Sequence, residues 1–176
     1  KANPEKVTYS TPGSGSSNHL AALLFEQHAG IRMTQVAYKG GGPMIQALLG
    51  QQVNITFLSM PLILPHIKSG KVKGIATGGR TRAAQLPDLP TFSEAYPGFE
   101  QVSWFGILGP ARLPREIVAR VHRDMVRTLR TPEVAQRLTE QGFDIVAGTP
   151  EEFLRFVQAE SDKLGRLIRD NKIVAE

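Results

Sequence analysis

At 176 residues with 41% hydrophobic side chains, the chain can bury one or two modest cores, which excludes a disordered or collagen-like protein. No run is long enough to cross a bilayer, the opening Lys-Ala-Asn-Pro lacks the apolar core of a signal peptide, and the absence of cysteine excludes disulfides and thiolate metal sites while being compatible with either cytoplasm or periplasm. A net charge of +5 raises nucleic acid as a partner, but the bases are spread out and lie beside acids: Glu116 and Asp124 share residues 112–130 with the arginines, as on a solvated helical face.

Residues 7–10 read as a strand, and Leu20, Leu23 and Leu24 then recur at helical spacing until Gly30. Residues 34–38 repeat the strand, and Met44, Ile45, Leu48 and Leu49 make a second helix closed by Gly50. Residues 53–58 are a third strand, 61–68 a short helix ended by Gly70, and 72–77 a fourth strand before Gly78 and Gly79. This alternation predicts right-handed βαβ crossovers and a mostly parallel sheet. Ligands of such sheets sit beyond the C-terminal strand ends, where two glycine-rich turns fall, at 11–17 and 39–42.

Composition changes at residues 80–97, a proline-rich connector with neither helical nor strand period. Residues 102–108 then read as a buried strand, with Trp104 and Phe105 in the core. A long helix after Pro114 places Ile117, Val118, Val121, Met125 and Leu129 on one face, and another begins at Pro132. Residues 143–146 make a brief strand. Thr149-Pro150-Glu151-Glu152 resembles a capped helix start, and the last helix is expected to bury Phe153, Phe156, Val157, Leu164, Leu167 and Ile168. Two strands for three helices leave this half too strand-poor to close its own sheet.

The glycine turns lack the marks of nucleotide binding. Asn18 stands where a dinucleotide fingerprint needs its third glycine, and neither turn carries Gly-Lys-Ser/Thr. No G-x-S-x-G elbow surrounds Ser14 or Ser16, and no patterned His and Asp complete a triad. The four histidines lack metal-ligand spacing: His28 and His122 read as exposed helix residues, and His66 as a residue of a proline-rich turn. His19 either packs and hydrogen-bonds at the helix start or contributes to a ligand site. One of Ser14, Ser16 and Ser17 is the helix N-cap, and the other hydroxyls and adjacent N–H groups are free to face carboxylate oxygens. Tyr38 reads as the last core residue of its strand, or else as part of the site. Lys39 reads as a surface charge or a steering one. The run Gly40, Gly41, Gly42 allows close backbone approach to a ligand.

In order, the segments STPGSGSSNHLA, VAYKGGGP, ALLGQQVNITF, PHIKSGKVKGIAT, PDLPTFSEAYPG and SWFGILGPARLP resemble the Bug-type solute receptors of tripartite tricarboxylate transporters. The resemblance implies an α/β, periplasmic-binding-protein-like receptor of the type II, Venus-flytrap kind, with no catalytic chemistry and no cofactor or metal. It would capture a small carboxylate, an amino acid or organic acid, in the periplasm and deliver it to a membrane permease. Carried over by position, Ser14, Gly15, Ser16, Ser17 and His19 of one loop and Tyr38, Lys39, Gly40, Gly41 and Gly42 of the other form the second domain's share of the pocket. Backbone amides, hydroxyls and ordered waters would hold the carboxylates there.

The resemblance also implies that residues 1–98 are the second domain, with the connector 80–98 leading to the hinge. Residues 99–176 would be a returning hinge strand and the helical C-terminal part of the first domain. Family members begin with a longer stretch that builds most of the first domain, including a Pro-Gly-Gly/Asp loop on the opposite wall of the cleft, and this sequence does not contain it. A truncated receptor of this kind, its leader removed, is expected to expose apolar helix faces and to form a homodimer or rearrange its C-terminal half. The alternative is a small α/β hydrolase acting on a carboxylate or phosphate ester through serine and His19.

Overall fold

Three parallel strands carry the α/β architecture in the computed structural model, which describes residues 6–174. The signal-peptide reading of residues 1–4 lies outside that range. Strand β1 (Thr8–Thr11) is central, with β2 (Thr34–Ala37) on one side and β3 (Ile55–Thr56) on the other. The register sets Thr8 beside Thr34 and Thr11 beside Ala37, while Tyr9 and Ser10 face Ile55 and Thr56.

A central strand is covered on both faces, and Tyr9, Ser10 and Thr11 are all buried. The hydroxyls are tolerated there because neighbouring strands satisfy them. Ser10 Oγ donates to Thr56 Oγ1 at 2.8 Å, and Gln35 Nε2 donates to Thr11 Oγ1 at 2.7 Å.

Each strand runs into a helix: α1 (Ser17–Ala29), α2 (Gly41–Leu49) and α3 (Met60–Lys68). Gly30 ends α1 in the left-handed conformation, φ 61°, and its N–H bonds the Glu26 carbonyl. One face of α1 packs Ala22 and Phe25 with Tyr9, Met33, Ile55 and Phe57; another packs Leu20 and Leu23 with Leu164, Leu167 and Ile168.

The described residues divide into two units, 6–103 with 163–174, and 104–162. The second holds α5 (Arg115–Leu129), α6 (Pro132–Glu140) and residues 150–162 of α7 (Pro150–Asp170). Asp124 pairs with Arg120 and Arg127 on the polar side of α5, as the mixed charge pattern predicts. Thr149 and Glu152 close a capping box: Thr149 N–H donates to Glu152 Oε2 at 2.8 Å, and Glu152 N–H to Thr149 Oγ1 at 3.2 Å. No described residue of 104–162 is buried.

Several expectations are corrected. The fourth strand does not form: residues 72–77 run without a ladder, apart from a single parallel bridge of Thr77 with Thr91. Alternating apolarity suits a strand, but a strand also needs a neighbour for its N–H and C=O groups. Residues 102–108 and 143–146 are likewise not strands, and Trp104 and Phe105 are exposed rather than in a core. Trp104 instead stands edge-on to Phe153 and Phe156, with centroids 5.6 and 5.5 Å away.

Of the side chains expected to be buried by the last helix, only Leu167 is, because among them only Leu164, Leu167 and Ile168 pack against α1. The connector holds a turn of helix, α4 (Phe92–Ala95), fixed by a Thr91–Glu94 capping box. His28 is exposed as read. His66 lies within α3 and is half-buried, and half-buried His122 donates from Nε2 to the Gly148 carbonyl at 3.0 Å.

Candidate functional site

The turn after β1 is built by its own side chains. Thr11 Oγ1 accepts from the Gly13 N–H at 3.2 Å, and Ser16 caps α1 by accepting the His19 N–H while donating to the Gly13 carbonyl at 2.7 Å. His19 is buried, and its Nδ1 accepts the Gly15 N–H at 3.1 Å. Accepting that bond requires an unprotonated Nδ1, which places the proton of the neutral ring on Nε2. Burial lowers the His19 pKa from its ordinary 6.5 and favours the same neutral form.

Within this loop Ser16 and the Nδ1 edge of His19 are therefore occupied in shaping the turn. Ser17 Oγ reaches only Asn18 Oδ1, at 3.5 Å, and the Ser14 hydroxyl has no hydrogen-bond partner among the described residues. The N–H groups of Ser17 and Asn18, in the first turn of α1, also lack an acceptor among the described residues.

Gly40 opens α2 with φ 93°, a conformation that a side chain resists. Its own N–H bends back to the Tyr38 carbonyl at 2.9 Å. The N–H groups of Gly41 and Gly42 are left at the helix start, and Pro43 has none to satisfy. Tyr38 lies just beyond β2 and is half-buried, so it is not the last core residue of that strand; Lys39 is exposed.

The sheet brings these turns together. Tyr38 N–H donates to the Thr11 carbonyl at 2.8 Å, which sets the turn after β2 directly beside the turn after β1. A third turn joins them, one that the sequence reading missed. Asn18 Nδ2 donates to the Phe57 carbonyl just beyond β3, and a Cβ built on Gly41 would stand 2.9 Å from Leu62 Cδ1 in the first turn of α3. Ser59 is the N-cap of α3, and its side chain makes no capping bond. Ser followed two residues later by Pro was the available signal for this helix start.

With strand order β2-β1-β3, the chain reverses its direction of travel across the sheet between β1 and β3. The crevice beyond their C-terminal ends is where open α/β sheets hold ligands. Three helix starts converge there, each with N–H groups that lack an acceptor among the described residues and with the positive end of a helix dipole. The arrangement suits a small anion. Among the described residues no group of three or more His, Asp or Glu is placed to hold a metal.

Comparison with known proteins bears on this arrangement. The family described as tripartite tricarboxylate transporter family receptor matches residues 1–173. The protein BugT of Bordetella pertussis is 30% identical over 171 residues, which are 97% of this chain and 52% of BugT. Among solved structures, R. palustris Rpa4515 with adipate superposes with a TM-score of 0.88 at 30% identity, over 98% of this chain and 58% of that one. MatC from Rhodopseudomonas palustris with bound malate superposes with a TM-score of 0.80 at 29% identity, over 93% and 57%. The chain spans about half the length of most of the curated relatives it matches.

Proposed function

Because this chain belongs to the tripartite tricarboxylate transporter receptors, the Bug-type family of solute-binding proteins and not of enzymes, we propose that its three converging turns hold a small carboxylate. The observation that carries the reading is the side-by-side placement of the turns after β1, β2 and β3, tied by the Tyr38–Thr11 and Asn18–Phe57 hydrogen bonds. Backbone N–H groups at Ser17, Asn18, Gly41 and Gly42, with the hydroxyls of Ser14 and Ser59, offer the donors. No basic side chain is needed, because helix starts supply partial positive charge. Adipate and malate in the two solved relatives support a dicarboxylate as ligand.

The same reading gives the setting. A receptor of this family works in the periplasm and passes its ligand to a membrane permease. Residues 1–98 serve as the second ligand-binding domain, with 80–98 as the connector to the hinge. Residues 99–176 serve as the returning segment and the helical part of the first domain, whose opposite wall closes over the ligand.

Calorimetry with malate and adipate tests the proposal, on this chain and on a receptor of its relatives' full length that carries it. One saturable site is expected, tight in the longer protein and weak or undetectable in the chain alone. Gly41→Leu is expected to weaken binding at least about tenfold, because a side chain there meets Leu62 and intrudes at the α2 start. Unchanged affinity in that variant removes the turn after β2 from the site. No carboxylate bound by the longer receptor ends the proposal.

A further inference from the structure

Among the described residues, Asn18 is the one whose side-chain hydrogen bond crosses from the turn after β1 to the turn after β3. It sits in the first turn of α1, half-buried, and its amide nitrogen donates to the Phe57 carbonyl. A carbonyl only accepts, so the amide must present Nδ2 to Phe57; its Oδ1 then faces the Ser17 hydroxyl, 3.5 Å away. The anchor is firm because the Phe57 ring lies in an aromatic cluster with Tyr9, Phe25 and Phe92, at centroid distances of 6.4, 6.1 and 6.3 Å. Strands β1 and β3 are joined by a ladder that ends at Ser10 and Thr56, and beyond it no backbone hydrogen bond among the described residues joins the two turns.

We infer that Asn18 is a positioning residue for the ligand: its amide latches the turn after β1 to the turn after β3, so that the α1 and α3 starts keep a fixed spacing across the crevice. The consequence for affinity rests on the proposed carboxylate site; the latch itself does not. Donors held in place before binding need not be ordered by the ligand, and loss of that order weakens binding without removing any group that touches it.

The test uses the unliganded chain first. Asn18→Ala is expected to speed amide hydrogen exchange together at Gly13, Gly15 and Ser16 in the turn after β1 and at Leu62 at the α3 start, whose N–H groups are hydrogen-bonded, by about fivefold, the loss of one ordinary hydrogen bond. Asn18→Asp keeps the size of the side chain and suits a helix first turn, yet it places an acceptor against the Phe57 carbonyl, so it is expected to show the same acceleration without a fall in thermal stability. In the longer receptor, Asn18→Ala should weaken malate binding by about five- to tenfold. Exchange at Leu62 that is unmoved in both variants overturns the latch, as does a fall in melting temperature with malate affinity intact. Absence of malate and adipate binding in the unsubstituted receptor overturns the carboxylate proposal instead, and the exchange data still decide the latch.

Discussion

His19 shows how a residue in a ligand loop can act through the loop. Its ring accepts the Gly15 N–H, and burial holds its pKa below the ordinary 6.5. The unfolded chain takes up a proton near 6.5 while the folded ring resists it. The stability from the neutral ring is therefore complete above about pH 6.5 and declines as pH falls toward the lowered folded value. NMR titration should find His19 protonating below the ordinary 6.5, and urea unfolding on either side of pH 6.5 should lose part of its pH dependence in His19→Ala. A His19 ring that titrates above 6.5 contradicts this account. The serines divide in the same way, Ser16 holding the turn and the Ser14 hydroxyl left without a partner among the described residues; sequence named the candidates, but only the hydrogen bonds of the folded turn sorted them.

At the scale of elements, helices were legible and several strands were not. Helices α1, α2 and α3 begin or end close to where the serine cap, Gly30, Gly50, Pro61 and Gly70 signal, because their hydrogen bonds close within the segment and their caps are local. Residues 72–77 and 102–108 have the composition of strands, yet a strand exists only where another one pairs with it, and neither segment lies in a ladder. The first of these segments leads instead into a tight crossing. At Gly78, whose carbonyl accepts the Gln101 N–H at 3.0 Å, an added Cβ would stand 1.9 Å from the Gln101 carbonyl oxygen. Backbone cannot swing aside as a side chain can. Gly78→Ala is therefore expected to destabilise the protein by about 2–3 kcal/mol in urea unfolding, and a loss below about 0.5 kcal/mol would show that the crossing yields.

At the scale of the molecule, the two units differ in how they treat their apolar side chains. Unit 6–103 with 163–174 buries Tyr9, Leu20, Met44, Leu64 and Phe99. Unit 104–162 leaves Phe105, Leu108, Val146 and Leu154 each about 70% or more exposed. Apolar surface of that kind favours association, and a second copy of the chain is the partner present in every preparation. Light scattering is expected to find a dimer or larger species whose share grows with concentration. A monomer that persists at high concentration contradicts the expectation.

The sequence by itself determined the α/β alternation, the glycine turns at the strand ends, the helix caps and, through its ordered segments, the receptor family; all of these are written in short stretches whose physics is local. The tertiary structure alone decided that the turn after β3 joins the other two, that Asn18 spans the gap, and that residues 72–77 and 102–108 stay out of a sheet. Those outcomes depend on which distant backbone groups meet, and the pairing of β1 with β3 across more than forty residues is set by the packing of the folded sheet rather than by either strand's own composition.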